Sequence, residues 1–190
     1  MGCYVIIQNV QWLKIIMKDK NIRILVFSHQ QFDNVCEAHG WDDSNVESLE
    51  DMAFISIIGT DECRKFYMND ERDHWFRENH NNVLNLEFDD LFSDKMYKGH
   101  LFKAMNEEQA RLSVDFIENN IGKTFFIHCH AGISRSQAFF RFITDFFPNI
   151  YSKDCGRKDN MCVNPNLAVF SSLRRAFYEK HNVFTNNNWE

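Results

Sequence analysis

Apolar positions along this chain fall into two rhythms that alternate. Short runs rich in β-branched and aromatic residues recur at Ile22 to Phe27, Met52 to Ile58, Val83 to Phe88 and Lys123 to Ile127, most of them closed by Gly, Asp, Ser or Thr. Runs of that length and content predict strands buried on both faces. Between them the apolar period lengthens to that of a helix. Ser28 is placed to cap a short helix through Phe32, Val35 and Cys36 that stops before Gly40. Asn106 with Gln109 three residues on makes a capping-box start, Ala110, Val114, Ile117 and Ile121 form one stripe, and Gly122 ends it. Gln137 to Phe147 is helical in period until Pro148 stops it, and a last helix carries Val169, Phe170, Leu173 and Phe177, with Asn164-Pro165 as cap and first turn.

Two stretches read differently. Trp41 to Glu50 is an acidic loop, and Asp61 to Asn82 is dense in charge, with Trp75 and Phe76 as its apolar anchors, so a helix plus a long surface excursion is expected there. Strands alternating with helices predict an α/β domain, a mostly parallel central sheet flanked by helices, with any ligand loop at the carboxyl end of a central strand. At 190 residues the chain is expected to be one domain, 1–190, able to bury about 70% of its unfolded surface. Residues 1–20 read as an N-terminal extension and 185–190 as a frayed tail.

Composition narrows the functional classes. Nineteen Phe predict an aromatic interior, and a net charge of −6 opposes a nucleic-acid partner, so any attraction for phosphate is local. Cys3 to Met17 is apolar but broken by Gln8, Asn9, Gln11 and Lys14, too short and polar to span a membrane. Met1-Gly2-Cys3 resembles an acylated terminus, but Ile6 stands where that signal needs Ser or Thr, and an extra strand or helix on the sheet edge is the plainer reading. The six Cys show no regular spacing, which fits a reducing, cytoplasmic setting.

The chemistry gathers at Phe125-Phe126-Ile127-His128-Cys129-His130-Ala131-Gly132-Ile133-Ser134-Arg135-Ser136, where a strand passes through a short loop into a helix. In such a turn the N–H groups of His130, Ala131, Gly132, Ile133, Ser134 and Arg135 converge with a helix N-terminus and form a nest for an anion. The same dipoles and the Arg135 guanidinium lower the pKa of a thiol, so Cys129 is a candidate nucleophile. Arg135 offers a fork to two phosphoryl oxygens that Lys could not copy. Gly132 allows close approach of a ligand, and Ser136 places a hydroxyl beside the departing sulfur. A purely structural Cys at a strand-to-helix turn is the plain alternative. A metal site of His128, Cys129 and His130 is disfavoured, because neighbours on a strand point to opposite faces.

His128-Cys129-x-Ala131-Gly132-Ile133-x-Arg135-Ser136 resembles the signature of the cysteine-dependent protein tyrosine phosphatases, including their dual-specificity branch, and Asn164-Pro165-Asn166-Leu167 is similar to the element that opens their last helix. The resemblance implies that fold and hydrolysis of phosphotyrosine, or phosphoserine and phosphothreonine, through a phosphocysteine. It implies phosphoprotein or small phosphomonoester substrates, no cofactor and no metal, His128 as structural support, and a general acid upstream of the cysteine. No Trp-Pro-Asp is present. Phe88-Asp89-Asp90-Leu91 supplies Asp90 as first choice, Asp89 as second and Asp94 as third, against the reading that paired Asp residues merely end a strand. The position of the motif opposes low-molecular-weight phosphatases and arsenate reductases. Rhodanese-like enzymes lack its Ala-Gly-Ile and Arg-Ser, and His130 replaces the Lys of phosphoinositide phosphatases. A phosphate-binding pseudophosphatase and an RNA 5′-phosphatase of the same fold are the alternatives.

Overall fold

The computed structural model describes residues 23–68, 72–147 and 164–183. The extension, the acylation signal, Pro148 and the tail lie outside them. Four strands, β1 (Ile24–Ser28), β2 (Met52–Ile58), β3 (Val83–Glu87) and β6 (Thr124–Cys129), form one parallel sheet in the order β1-β6-β2-β3. The remaining two, β4 (Lys95–Tyr97) and β5 (His100–Phe102), make a separate antiparallel hairpin that turns through Lys98 and Gly99, both at positive φ. The architecture is thus α/β, with a parallel central sheet flanked by helices.

Alternation along the strands divides the interior into two cores. Ala53, Ile55 and Ile57 of β2 and Phe125, Ile127 and Cys129 of β6 point to one face. There they meet α2 (Glu107–Asn119), α3 (Arg135–Phe146) and α4 (Leu167–Lys180) through Val114, Phe139, Phe142 and Leu173. Phe54 of β2 and Phe126 of β6 point to the other face, against Phe32 and Cys36 of α1 (His29–His39). Phe54 is fully buried, ringed by Phe32, Trp41, Phe76 and Phe126 at centroid distances of 5.1–6.2 Å. Such contacts add about 0.5–1.5 kcal/mol each to the burial of the rings.

Local signals explain the helix ends. Ser28 and Gln31 form a capping box and Gly40 closes α1 in the left-handed conformation, while Asn106 and Gln109 form a second box on α2. Helix α2 ends at Asn119, short of Gly122, because Asn120 turns its amide back onto Phe116 O. The last helix starts later than Asn164-Pro165 suggested. Asn166 is its cap, accepting from Ala168 N and Val169 N at 2.9 and 3.1 Å, and Pro165 lies before the cap. Among its described residues the charged stretch after β2 holds one helical turn, Asp61–Cys63, widening into a π turn, Arg64–Met68. Its anchors are as expected: Phe76 is buried, and Trp75 Nε1 donates to Trp41 O at 2.6 Å.

Candidate active site

Strand β6 is flanked by β1 and β2, so its carboxyl end opens at the centre of the sheet, and Cys129 is its last residue. The loop that follows is sewn to its surroundings by backbone bonds. His29 N donates to His130 O at 3.1 Å, and Asn166 N donates to Ser134 O at 3.2 Å. Gly132 has φ +72°, and a Cβ there would come within 2.7 Å of the Phe27 backbone. Only glycine lets the loop lie this close to β1.

The sulfur sits where the donors converge. Ser136 Oγ lies 3.1 Å from Cys129 Sγ, and the N–H groups of Gly132 and Ser136 also point at the sulfur. Burial alone would raise this thiol's pKa, but the Arg135 charge and those three donors outweigh it and bring it below the ordinary value of 9.0. The other described cysteines go the opposite way. Burial, aided by Asp33, pushes Cys36 up to about 12, and burial with the Asp89 carboxylate pushes Cys63 up to about 11. The fold thus singles out one of these thiols as the readily ionised one.

Arg135 opens α3 and is only 3% exposed. Its Nη1 donates to Phe88 O at 2.7 Å, which ties the end of β3 to the loop, while Nε is buried with no hydrogen-bond partner among the described residues. A buried cationic donor left open is costly unless an anion can meet it.

The paired aspartates part company. Asp89 is 2% exposed, and its carboxylate accepts from Thr60 N, Thr60 Oγ1 and Lys103 N at 2.9, 2.8 and 2.8 Å. It fastens the β4–β5 hairpin and the end of β2 to β3. Asp90 is exposed and leans on the loop: its Oδ1 accepts from Ser134 Oγ at 2.8 Å and from Asn166 Nδ2 at 2.7 Å. Both bonds fall on one oxygen, so Oδ2 keeps no protein donor among the described residues. Asp94 instead accepts from Ala104 N and braces the hairpin.

His128 lies on the opposite face from Cys129, wholly buried, with the rings of Phe32 and His29 stacked on it at 4.3 and 4.9 Å. Burial, together with the nearby His29, His74 and Arg135, holds its pKa well below 6.5, so the ring is neutral. The loop residues His130, Ala131, Ile133 and Ser134 complete the circuit between Cys129 and α3. Sequence reading missed Thr60, Ser56 and His74. Gly59-Thr60 at the end of β2 was the available signal for the first, and nothing local marked the other two.

Among the described residues no group of three or more His, Cys, Asp or Glu is arranged to hold a metal ion, and no helix is long and apolar enough to cross a membrane. Set against known protein families, curated protein sequences and solved structures, the chain gives no match.

Proposed function

We propose that this protein is a cysteine-dependent phosphomonoesterase of the tyrosine and dual-specificity phosphatase type, acting on phosphoproteins. One observation carries the reading: a thiol of lowered pKa and a buried Arg with an unmet N–H share one short loop, and an exposed carboxylate is hydrogen-bonded to that loop. The set matches what transfer of a phosphoryl group demands, namely a nucleophile, a fork for the equatorial oxygens and a proton donor.

In this reading the Cys129 thiolate attacks phosphorus as the bond to the ester oxygen breaks. Asp90, entering as the acid, gives its proton to the leaving oxygen. The phosphoryl group then rests on sulfur, held by the loop N–H groups and the Arg135 fork. Asp90, now a carboxylate, takes a proton from water as that water attacks phosphorus, and the S–P bond breaks. Ser136 Oγ, at 3.1 Å, donates to the departing sulfur, and inorganic phosphate is released. Asp89, with its hydrogen-bonding capacity engaged by Thr60 and Lys103, serves as an anchor.

The test is release of phosphate from an aryl phosphate by the full chain, with acid quenching to trap phosphate on Cys129. Cys129→Ser should abolish both while leaving phosphate-analogue binding intact. Turnover that persists in Cys129→Ser would remove the covalent mechanism, and binding without turnover in the native chain would leave a phosphate-recognition protein.

A further inference from the structure

The parallel register of β2 and β6 sets Ser56 directly beside His128. The two side chains share a sheet face, and the Ser56 hydroxyl lies 2.6 Å from His128 Nε2 and 2.6 Å from His74 Nδ1. Ser56 is fully buried and His74 partly so. We propose that His74, acting through Ser56, fixes the proton of His128 on Nδ1, and that this fixes the backbone on which the Cys129 loop is built. His74 and Ser56 are then positioning residues for the nucleophile, an inference that rests on the reading of Cys129 as one.

The argument is one of hydrogen counting. A serine hydroxyl carries one hydrogen, so between two ring nitrogens it donates to one and accepts from the other. Both rings are neutral. Burial, against the opposing pull of Asp73 and with help from His29, Arg64 and Arg77, brings His74 down to about 4, and His128 is held low in the same way. Each imidazole therefore has a single N–H, and the choice made at one ring dictates the other.

The far side of His128 suits one of the two directions. Its Nδ1 is sealed from solvent with no hydrogen-bond partner among the described residues, and the Cys129 backbone is a polar neighbour of the ring. That backbone favours the protonated ring, as a carbonyl acceptor does and an N–H donor does not. The order that follows is His74 Nδ1–H to Ser56 Oγ, Ser56 O–H to His128 Nε2, and His128 Nδ1–H towards the Cys129 carbonyl. Phe32 and His29, stacked on the ring, hold its plane and prevent exchange of the two nitrogens. The peptide so held is the one from which the loop departs towards the Gly132 and Ser136 N–H groups aimed at the sulfur.

The experiment follows alkylation of Cys129 by iodoacetamide across pH in the full chain, with the modified peptide identified by mass so that other cysteines do not contribute. Ser56→Ala and His74→Leu should each raise the thiol midpoint by about 1 pH unit. His74→Asn, whose amide N–H takes the place of Nδ1–H, should restore it. Unchanged midpoints in Ser56→Ala and His74→Leu, or an Asn variant that behaves as Leu does, would reduce the chain to core packing and overturn the proposal. Nitrogen NMR of the native imidazoles reads the same point without mutation. The expected pattern is N–H on Nδ1 of both rings, and N–H on His128 Nε2 would refute the direction. Hydrolysis measured in parallel keeps the two readings apart, because a native chain with a low thiol midpoint and no hydrolysis would sink the phosphatase reading alone.

Discussion

Asp90 Oδ1 accepts a hydrogen bond from Ser134 Oγ at 2.8 Å, so the carboxylate proposed as acid is joined to the loop that carries the thiol. Asp90→Asn should slow hydrolysis by about 10²–10⁴-fold with little change in affinity, and the loss should shrink for substrates with good leaving groups. It should also erase the alkaline limb of the pH–rate profile, which reports the acid that must be protonated. Asp89→Asn should act on stability instead, costing about 1–3 kcal/mol, because an amide cannot accept all the donors that Thr60 and Lys103 present. Urea unfolding and a pH–rate series on both variants check the division, and a leaving-group-dependent defect in Asp89→Asn alone would reverse it.

Arg135→Lys keeps a positive charge beside the sulfur but loses the fork and the bond to Phe88 O. Catalytic efficiency should fall by about 10²–10³-fold, while the alkylation midpoint of Cys129 moves little. Near-native efficiency in this variant would make Arg135 a structural tie between β3 and the loop.

Gly132→Ala should cost about 10²-fold in turnover, the scale of a misplacement of about 1 Å. The added Cβ meets the Phe27 backbone at 2.7 Å, and φ +72° is strained for alanine. Circular dichroism and thermal unfolding should show the fold largely retained. Activity equal to the native chain would mean that the loop has room the geometry denies.

Acid should weaken the fold through His74. The folded ring resists protonation down to about 4, whereas the unfolded ring takes a proton near 6.5. Between those values the unfolded chain binds more protons, so stability falls as pH drops through this window and the loss is complete below it, with a magnitude on the order of 3 kcal/mol. His128 is shifted in the same direction. His74→Leu should be less stable at pH near 7 yet lose less on acidification. Urea midpoints at the two pH values test this, and parallel losses in both proteins would rule it out.

The sheet was legible because its strands are unbroken apolar runs, and the capped helices because Ser28 with Gln31 and Asn106 with Gln109 announce themselves locally. The strand-loop-helix turn at Cys129 was legible for the same reason: its cysteine, glycine and arginine lie within one short segment. The hairpin escaped because strands of three residues give no period to read, and Lys98-Gly99 was its only mark. Ser56 and His74 escaped for a different reason. Their roles depend on β2 lying beside β6 and on where the charged stretch after β2 folds back, and no local rule states either. Asn166 was misread because Asn164-Pro165 presents a rival cap two residues earlier, whereas the side chain that meets the helix N–H groups is that of Asn166.

Asn166 also sets an order of events. Its amide caps α4 with one end and holds Asp90 with the other, while β6 pairs with β1 across most of the described chain. Contacts so distant in sequence form late, since the intervening chain must be ordered before they repay its entropy. During synthesis the Cys129 loop therefore emerges well before the helix that completes its surroundings. A chain halted ahead of α4 lacks the second donor on Asp90, so it is the segment opened by Asn166 that makes the site whole.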